Sequence, residues 1–231
     1  MKKIGLIGGM GPESTIPYYK GIVHGVQQKV GKPYFPNMTI ESVDLFHVVE
    51  LCRDRKYDEL CEYFLDAIDN LVKAGADIVA LTANTSHIVF DEVLKKSPVP
   101  LISIVEATCR EAKRRGYKNL GLIGTIFTMT EDFFKSAFLR NDIDIVVPTE
   151  VEMAYINSKI YDELEYGITR EATVQKFVEI VGRMKADDGI DAIILGCTEL
   201  PLILSDANSP VPCLDTMQIH IKELIEEMLS E

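Results

Sequence analysis

Three short stretches recur in the same order along the chain, and this duplication constrains the fold more than any other feature. Ile4-Gly5-Leu6-Ile7-Gly8 returns as Leu120-Gly121-Leu122-Ile123-Gly124. Gly75-Ala76-Asp77-Ile78-Val79-Ala80-Leu81 returns as Gly189-Ile190-Asp191-Ala192-Ile193-Ile194-Leu195. Ser97-Pro98-Val99-Pro100 returns letter for letter as Ser209-Pro210-Val211-Pro212. One match could be chance; three in order, at nearly constant offset, mark two similar halves.

Short apolar runs alternate with amphipathic segments in both halves, the pattern of parallel βα units. Strands are predicted at 4–7, 38–43, 78–82, 101–103, 120–123, 143–147, 192–195 and 212–214. Helices are predicted at 13–30, 57–74, 86–95, 105–115, 130–139, 153–165, 170–185 and 217–229. Runs apolar on both faces imply strands covered on both sides. The expected fold class is α/β, with two pseudo-symmetric Rossmann-like (flavodoxin-like) lobes, parallel sheets and an inter-lobe cleft. The first lobe spans 1–103, with 216–231 packing back onto it; the second spans 104–215. Open α/β sheets bind ligands beyond the carboxyl ends of their strands, so two facing lobes create one cleft.

The composition narrows the function. Of 231 residues 47% are hydrophobic, enough for buried cores, and the net charge is −12. That charge argues against a nucleic-acid partner, which needs a basic surface. The local basic spot at Lys113, Arg114, Arg115 and Lys118 reads as an exposed helix end. No stretch approaches the roughly 18 apolar residues of a membrane span. The apolar run after Lys2 and Lys3 is too short for a signal segment, which leads us to expect a cytoplasmic protein without a membrane partner. Five cysteines (52, 61, 109, 197 and 213) without CxxC spacing argue against a disulfide framework or a metal site. Cys52, Cys61, Cys109 and Cys213 read as small core residues.

Overlaying the halves pairs Ala83-Asn84-Thr85 with Cys197-Thr198-Glu199. Each triplet follows a strand and precedes a predicted helix, whose free N–H groups would attract a carboxylate and lower a thiol's pKa. Cys197 is therefore the candidate acid/base, with Asn84, Thr85 and Thr198 as polar neighbours. Gly8-Gly9 does not complete G-x-G-x-x-G, so a tight first turn is favoured over a nucleotide cradle. His87 is equally compatible with orienting the motif and with a structural hydrogen bond, and it stays outside the catalytic set. His24 and His47 read as surface, His220 as part of the last helix, and none has a metal-ligand partner at useful spacing.

Gly8-Gly9-Met10-Gly11-Pro12-Glu13-Ser14, Asn84-Thr85-Ser86-His87 and Gly196-Cys197-Thr198-Glu199, in this order, resemble the aspartate/glutamate racemase family from end to end. The resemblance implies a cofactor-independent isomerase without metal, acting on a small amino acid and working as a homodimer. It implies two cysteines on opposite sides of the α-carbon, one removing a proton while the other delivers one. It also places Met10, Asn84, Thr85, Ser86, Thr125, Thr128, Tyr161 and Thr198 around the substrate. For Thr125 and Thr128 ordinary helix capping is an equal alternative, and a methionine such as Met10 is more often a gap filler.

Two positions depart from the family. Ala83 stands where the first cysteine is expected and has no proton to give; adjacent Thr82 would point to the opposite face of its strand. Ala83 fits a natural one-cysteine branch, a replaced cysteine, or a reaction needing one proton donor. The second departure is Glu165, four residues beyond Tyr161, where aspartate racemases carry a lysine for the distal carboxylate. A family arginine from the first half has no clear counterpart around Asp44-Leu45-Phe46-His47. Arg53 and Arg55 read as surface charges at a solvated helix start. A carboxylate facing a carboxylate is costly in a partly dry cleft, which makes aspartate less secure than racemase chemistry itself. Two alternatives stand beside the racemase: a single-cysteine lyase resembling arylmalonate decarboxylase, and a non-catalytic amino-acid binder.

Overall fold

The computed structural model describes residues 1–31 and 33–230. It divides into two compact units, Met1–Ile104 joined by the residues from His220 onward, and Val105–Ile219. Each unit holds a four-stranded, all-parallel sheet. In the first, β1 (Ile4–Gly8), β2 (Met38–Ser42), β3 (Ile78–Leu81) and β4 (Leu101–Ile102) run in the order β2-β1-β3-β4. In the second, β5 (Asn119–Gly124), β6 (Asp144–Val146), β7 (Ala192–Gly196) and β8 (Cys213–Asp215) run in the order β6-β5-β7-β8. All eight predicted strands are present, and the two sheets share one topology. β1, β3 and β7 are buried along their whole length, as central parallel strands must be.

Each repeated stretch has one physical task in both units. The second-position glycines make room for neighbouring side chains: a Cβ on Gly5 would stand 3.0 Å from Leu71 and Ala76, and one on Gly121 2.7 Å from Ile193. The repeated aspartates hold the entrance to the central strand. Asp77 accepts from the Lys3 amide at 2.7 Å, and Asp191 accepts from the Lys118 and Asn119 amides at 2.8 and 2.9 Å. Those two amides hold the Asp191 carboxyl below its ordinary pKa. The final prolines precede the edge strands, and their carbonyls accept from Val79 and Ile193 at 3.0 and 2.9 Å. A proline without N–H is tolerated there because only its carbonyl faces the neighbouring strand.

The helices are α1 (Pro12–Val30), α2 (Leu45–Arg53), α3 (Tyr57–Lys73), α4 (Phe90–Lys96), α5 (Ile104–Arg115), α6 (Ile126–Thr130), α7 (Asp132–Leu139), α8 (Glu150–Asp162), α9 (Glu171–Arg183) and α10 (Thr216–Leu229). α2 was not anticipated. Its signal was Asp44, whose side chain accepts from Phe46 N at 2.8 Å and His47 N at 3.4 Å as an N-cap. Arg53 accordingly ends a helix rather than starting one, and Arg55 follows in a left-handed turn at φ 55°. The predicted helix 130–139 is two pieces, since Glu131 is extended between α6 and α7. The one at 86–95 opens as the 3-10 turn Thr85–Val89 before α4. α8 starts earlier than predicted because Thr149 and Glu152 form a reciprocal capping box.

His220 is fully buried rather than merely helical. Its Nε2–H donates to the Ile102 carbonyl at 3.0 Å, which leaves Nδ1 to accept from the Tyr18 hydroxyl at 2.7 Å. Gly21 and Gly25 of α1 make room for Ile221 and Ile225: a Cβ there would stand 2.9 and 2.3 Å from their side chains. Among the described residues no helix is long and apolar enough to cross a membrane.

Candidate active site

In the second sheet the pairing of β5 with β7 runs out at Gly124 opposite Gly196. A Cβ on Gly196 would stand 2.8 Å from the Ile123 carbonyl oxygen and 3.0 Å from the Thr128 methyl group; one on Gly124 would stand 2.8 Å from the Gly196 carbonyl. Bare glycine lets the two strand ends close to this distance. Thr125 and Cys197 therefore leave the sheet next to each other at its carboxyl edge, where α/β sheets present functional groups.

Cys197 is 6% exposed. Its thiol donates to Glu199 Oε2 at 2.9 Å, and the Thr198 hydroxyl donates to the same oxygen at 3.0 Å. Glu165 enters from the 3-10 turn Leu164–Tyr166. The Cys197 sulfur and one oxygen each from Glu165 and Glu199 all lie within 4.8 Å of one another. Glu165 Oε2 is buried without a hydrogen-bond partner. Glu163, 3% exposed, anchors this turn. Its carboxylate accepts from Lys159 Nζ and from the Thr173 hydroxyl, each at 2.7 Å, tying the end of α8 to α9.

Burial, and then the Glu199 charge, push the Glu165 carboxyl up to about 8. Burial, followed by Glu199 and Glu165, pushes the Cys197 thiol well above its usual value. This reverses the sequence-based expectation. Cys197 is followed by Thr198, Glu199 and only the three-residue turn Leu200–Leu202 with Pro201, not by a helix start. A helix terminus is worth about 0.3–1 kcal/mol, whereas burial shifts a titrating group by up to roughly 3–5 units. The carboxylates add to burial, so the resting thiol keeps its proton.

A metal fits these three residues poorly. On a tetrahedral ion with sulfur at about 2.3 Å and oxygen at about 2.0 Å, the ligands stand roughly 3.5 Å apart. The 2.9 Å from Cys197 Sγ to Glu199 Oε2 is a hydrogen-bond distance instead.

Thr125 and Thr128 occupy the neighbouring turn. Thr125 is the N-cap of α6, accepting from Thr128 N at 3.4 Å, with the two hydroxyls 3.2 Å apart. The next amide, Ile126 N, is taken by Asn157 Oδ1 at 2.8 Å. Tyr161 lies half-buried near the end of α8, four residues before Glu165. Glu199 is the residue that sequence reasoning left out of the site, although it stands in the same Gly-Cys-Thr-Glu motif. Glu165, read there as a departure from the family, lies beside the thiol.

The first unit carries the other turn. Thr82 donates its hydroxyl to the Ile7 carbonyl at 3.0 Å, which commits it to the sheet. The Ala83 carbonyl accepts from the Ser86 hydroxyl at 2.6 Å and from His87 Nδ1 at 3.0 Å. His87 Nε2 accepts from the Ile104 amide at 3.2 Å, which fixes the neutral tautomer with the proton on Nδ1. Burial lowers its pKa to about 4. His87 is a neutral bracket for the turn. Asn84 and Ser86 are buried and Thr85 half-buried; Met10 is buried between Gly9 and Gly11, both at positive φ. Cys52, Cys61, Cys109 and Cys213 are buried cysteines outside any disulfide, on α2, α3, α5 and β8.

Residues 7–224 match the model of the Asp/Glu/hydantoin racemase family. The chain is 25% identical to the broad specificity amino-acid racemase RacX of Bacillus subtilis (strain 168), over 98% of both proteins. It is 31% identical to a candidate Asp/Glu racemase of known structure from Yersinia pestis, covering 100% of both chains at a TM-score of 0.91. It is 34% identical to an aspartate racemase homologue from Pyrococcus horikoshii OT3, again over 100% of both chains, at a TM-score of 0.86. With its duplicated α/β units and the cysteine turn after β7, the chain belongs to the Asp/Glu/hydantoin racemase family.

Proposed function

We propose that the protein is an amino-acid racemase that exchanges the α-proton of a free amino acid without a cofactor, with Cys197 as acid and base. The observation that carries this reading is the buried Cys197 thiol donating to Glu199 Oε2 at 2.9 Å, at the carboxyl edge of the second sheet. A protonated thiol can give its proton to one face of a planar carbanion. In the reverse direction Glu199 takes the thiol's proton and the thiolate takes the α-proton, so every proton is accounted for. Amides around Asn84, Thr85 and Thr198 would hold the α-carboxylate and stabilise the enediolate-like intermediate. Met10, Ser86, Thr125, Thr128 and Tyr161 would line the substrate. Ala83 supplies no proton, which leaves the second face to water or another group.

The same proposal has the enzyme work in the cytoplasm as a homodimer. The family resemblance supports the dimer, and five cysteines outside any disulfide suit a reducing compartment. Incubation with amino acids in heavy water is the test. Deuterium should enter at Cα, and Cys197→Ser should abolish entry, by at least about a thousandfold. No deuterium in any amino acid from the folded parent protein would overturn the reading. Ala83 and the protonated thiol favour one second reading, a lyase whose carbanion forms by loss of carbon dioxide. Carbon dioxide release from a disubstituted malonate, absent in the Cys197→Ser variant, would select it.

A further inference from the structure

We propose that Glu165 selects the substrate: its unpaired carboxylate oxygen receives an ammonium group of the amino acid, so the site takes basic or uncharged side chains in preference to aspartate and glutamate. The inference rests on Cys197 acting at the substrate's α-carbon.

A carbon exchanging a proton with Cys197 stands about 3–3.5 Å from the sulfur. A carboxylate oxygen of Glu165 lies within 4.8 Å of the same sulfur. Substituents of that carbon, from the α-ammonium to the end of a basic side chain, are therefore within reach of Glu165. Its other neighbours in the cluster are a thiol and a second carboxylate, and neither supplies a cation. Glu199 Oε2 already accepts from two donors. The cations nearest in sequence are engaged by Glu163: Lys159 at 2.7 Å and Arg170 at 3.8 Å. The buried oxygen of Glu165 is thus an acceptor that the folded chain leaves open, held in place by the anchored turn beneath it.

A side-chain carboxylate brought to this spot would face the Glu199 charge and, above about pH 8, the Glu165 charge as well. An ammonium group there would supply the missing donor, draw Glu165 into its ionised form and offset the Glu199 charge beside it. An opposite charge within about 4–6 Å favours the ionised form by roughly one to three pKa units, a tenfold to thousandfold effect. The α-ammonium, one bond from the reacting carbon, and the end of a short basic side chain offer the same chemistry.

The test compares parent, Glu165→Gln and Glu165→Lys on ornithine, lysine, norleucine, asparagine and aspartate. Exchange is followed in heavy water, and affinity is measured independently by calorimetry. The parent should favour asparagine and the basic amino acids over aspartate by at least about tenfold, and Glu165→Gln should bring the asparagine-to-aspartate ratio towards one. Glu165→Lys should invert it. Glu165→Gln should also weaken lysine and ornithine while sparing norleucine; weakening of all five alike through KM would mean that Glu165 meets only the shared α-ammonium, and would overturn the selection. A parent that prefers aspartate, or a ratio unmoved by both variants, overturns the inference while leaving the racemase standing. Glu165-dependent binding without any exchange overturns the racemase reading instead.

Discussion

The two units share a sheet order and three repeated devices, yet the turns after their third strands do opposite things. After β3 the chain closes on itself: Ser86 and His87 bind the Ala83 carbonyl, and His87 accepts from Ile104 as a neutral ring. After β7 the corresponding turn gathers a thiol and two carboxylates within 4.8 Å, one oxygen left open. The frame tolerates both because the glycines, aspartates and prolines of the repeat hold the strands, while the turn residues lie outside that framework. The shared frame carries both turns, and the thiol with its two carboxylates stands on the second.

The largest expected effect breaks this asymmetry directly. Ala83→Cys gives the first unit the thiol that two-base chemistry requires, and racemisation should rise by about a hundredfold or more. Chiral chromatography of the product would show it. An unchanged rate on a substrate that the parent already exchanges would mean that the first unit's turn has no part in the proton transfer.

A second comparison uses pH. Glu165 titrates at about 8 in the folded protein and near 4.5 when unfolded, facing Glu199 and Cys197. The unfolded chain sheds this proton first, so the group destabilises the second unit as pH rises from 4.5 to 8. Glu165→Gln should therefore stabilise by roughly 1–3 kcal/mol at pH 8 and much less at pH 5. His87 behaves in the opposite sense. Its folded value of about 4 lies below its ordinary 6.5, so stability present above pH 6.5 is lost as pH falls towards 4. Denaturant melts of the parent, Glu165→Gln and His87→Asn at pH 5 and 8 would separate the two. An equal gain for Glu165→Gln at both pH values would rule out its charge as the cause.

The smallest effect sharpens the likeness instead. Asp191 accepts two backbone amides and Asp77 one. Replacing each by alanine should cost about 1–3 kcal/mol at 191 and about 0.5–1.5 kcal/mol at 77. Equal losses by thermal melting would show that the repeated aspartates are not held to the strand entrance by these bonds alone.

The eight strands were legible because their period and flanking turns are local properties, and because the repeat tested each half against the other. Helix ends were less so: Asp44 capping α2 and Thr149 starting α8 are short signals that longer apolar patterns mask. The position of Cys197 after β7 also followed from the sequence. Its environment did not. A thiol after a strand looks activated when only a following helix is imagined; folding instead buries it and brings Glu165, from a turn far away in sequence, to the same few ångströms as Glu199. Sequence alone determined the duplicated parallel frame and singled out Cys197 as the candidate reactive residue, since both are written in local pattern. Tertiary structure alone decided the thiol's proton and the open carboxylate beside it, because burial and charge depend on neighbours that only the folded chain assembles.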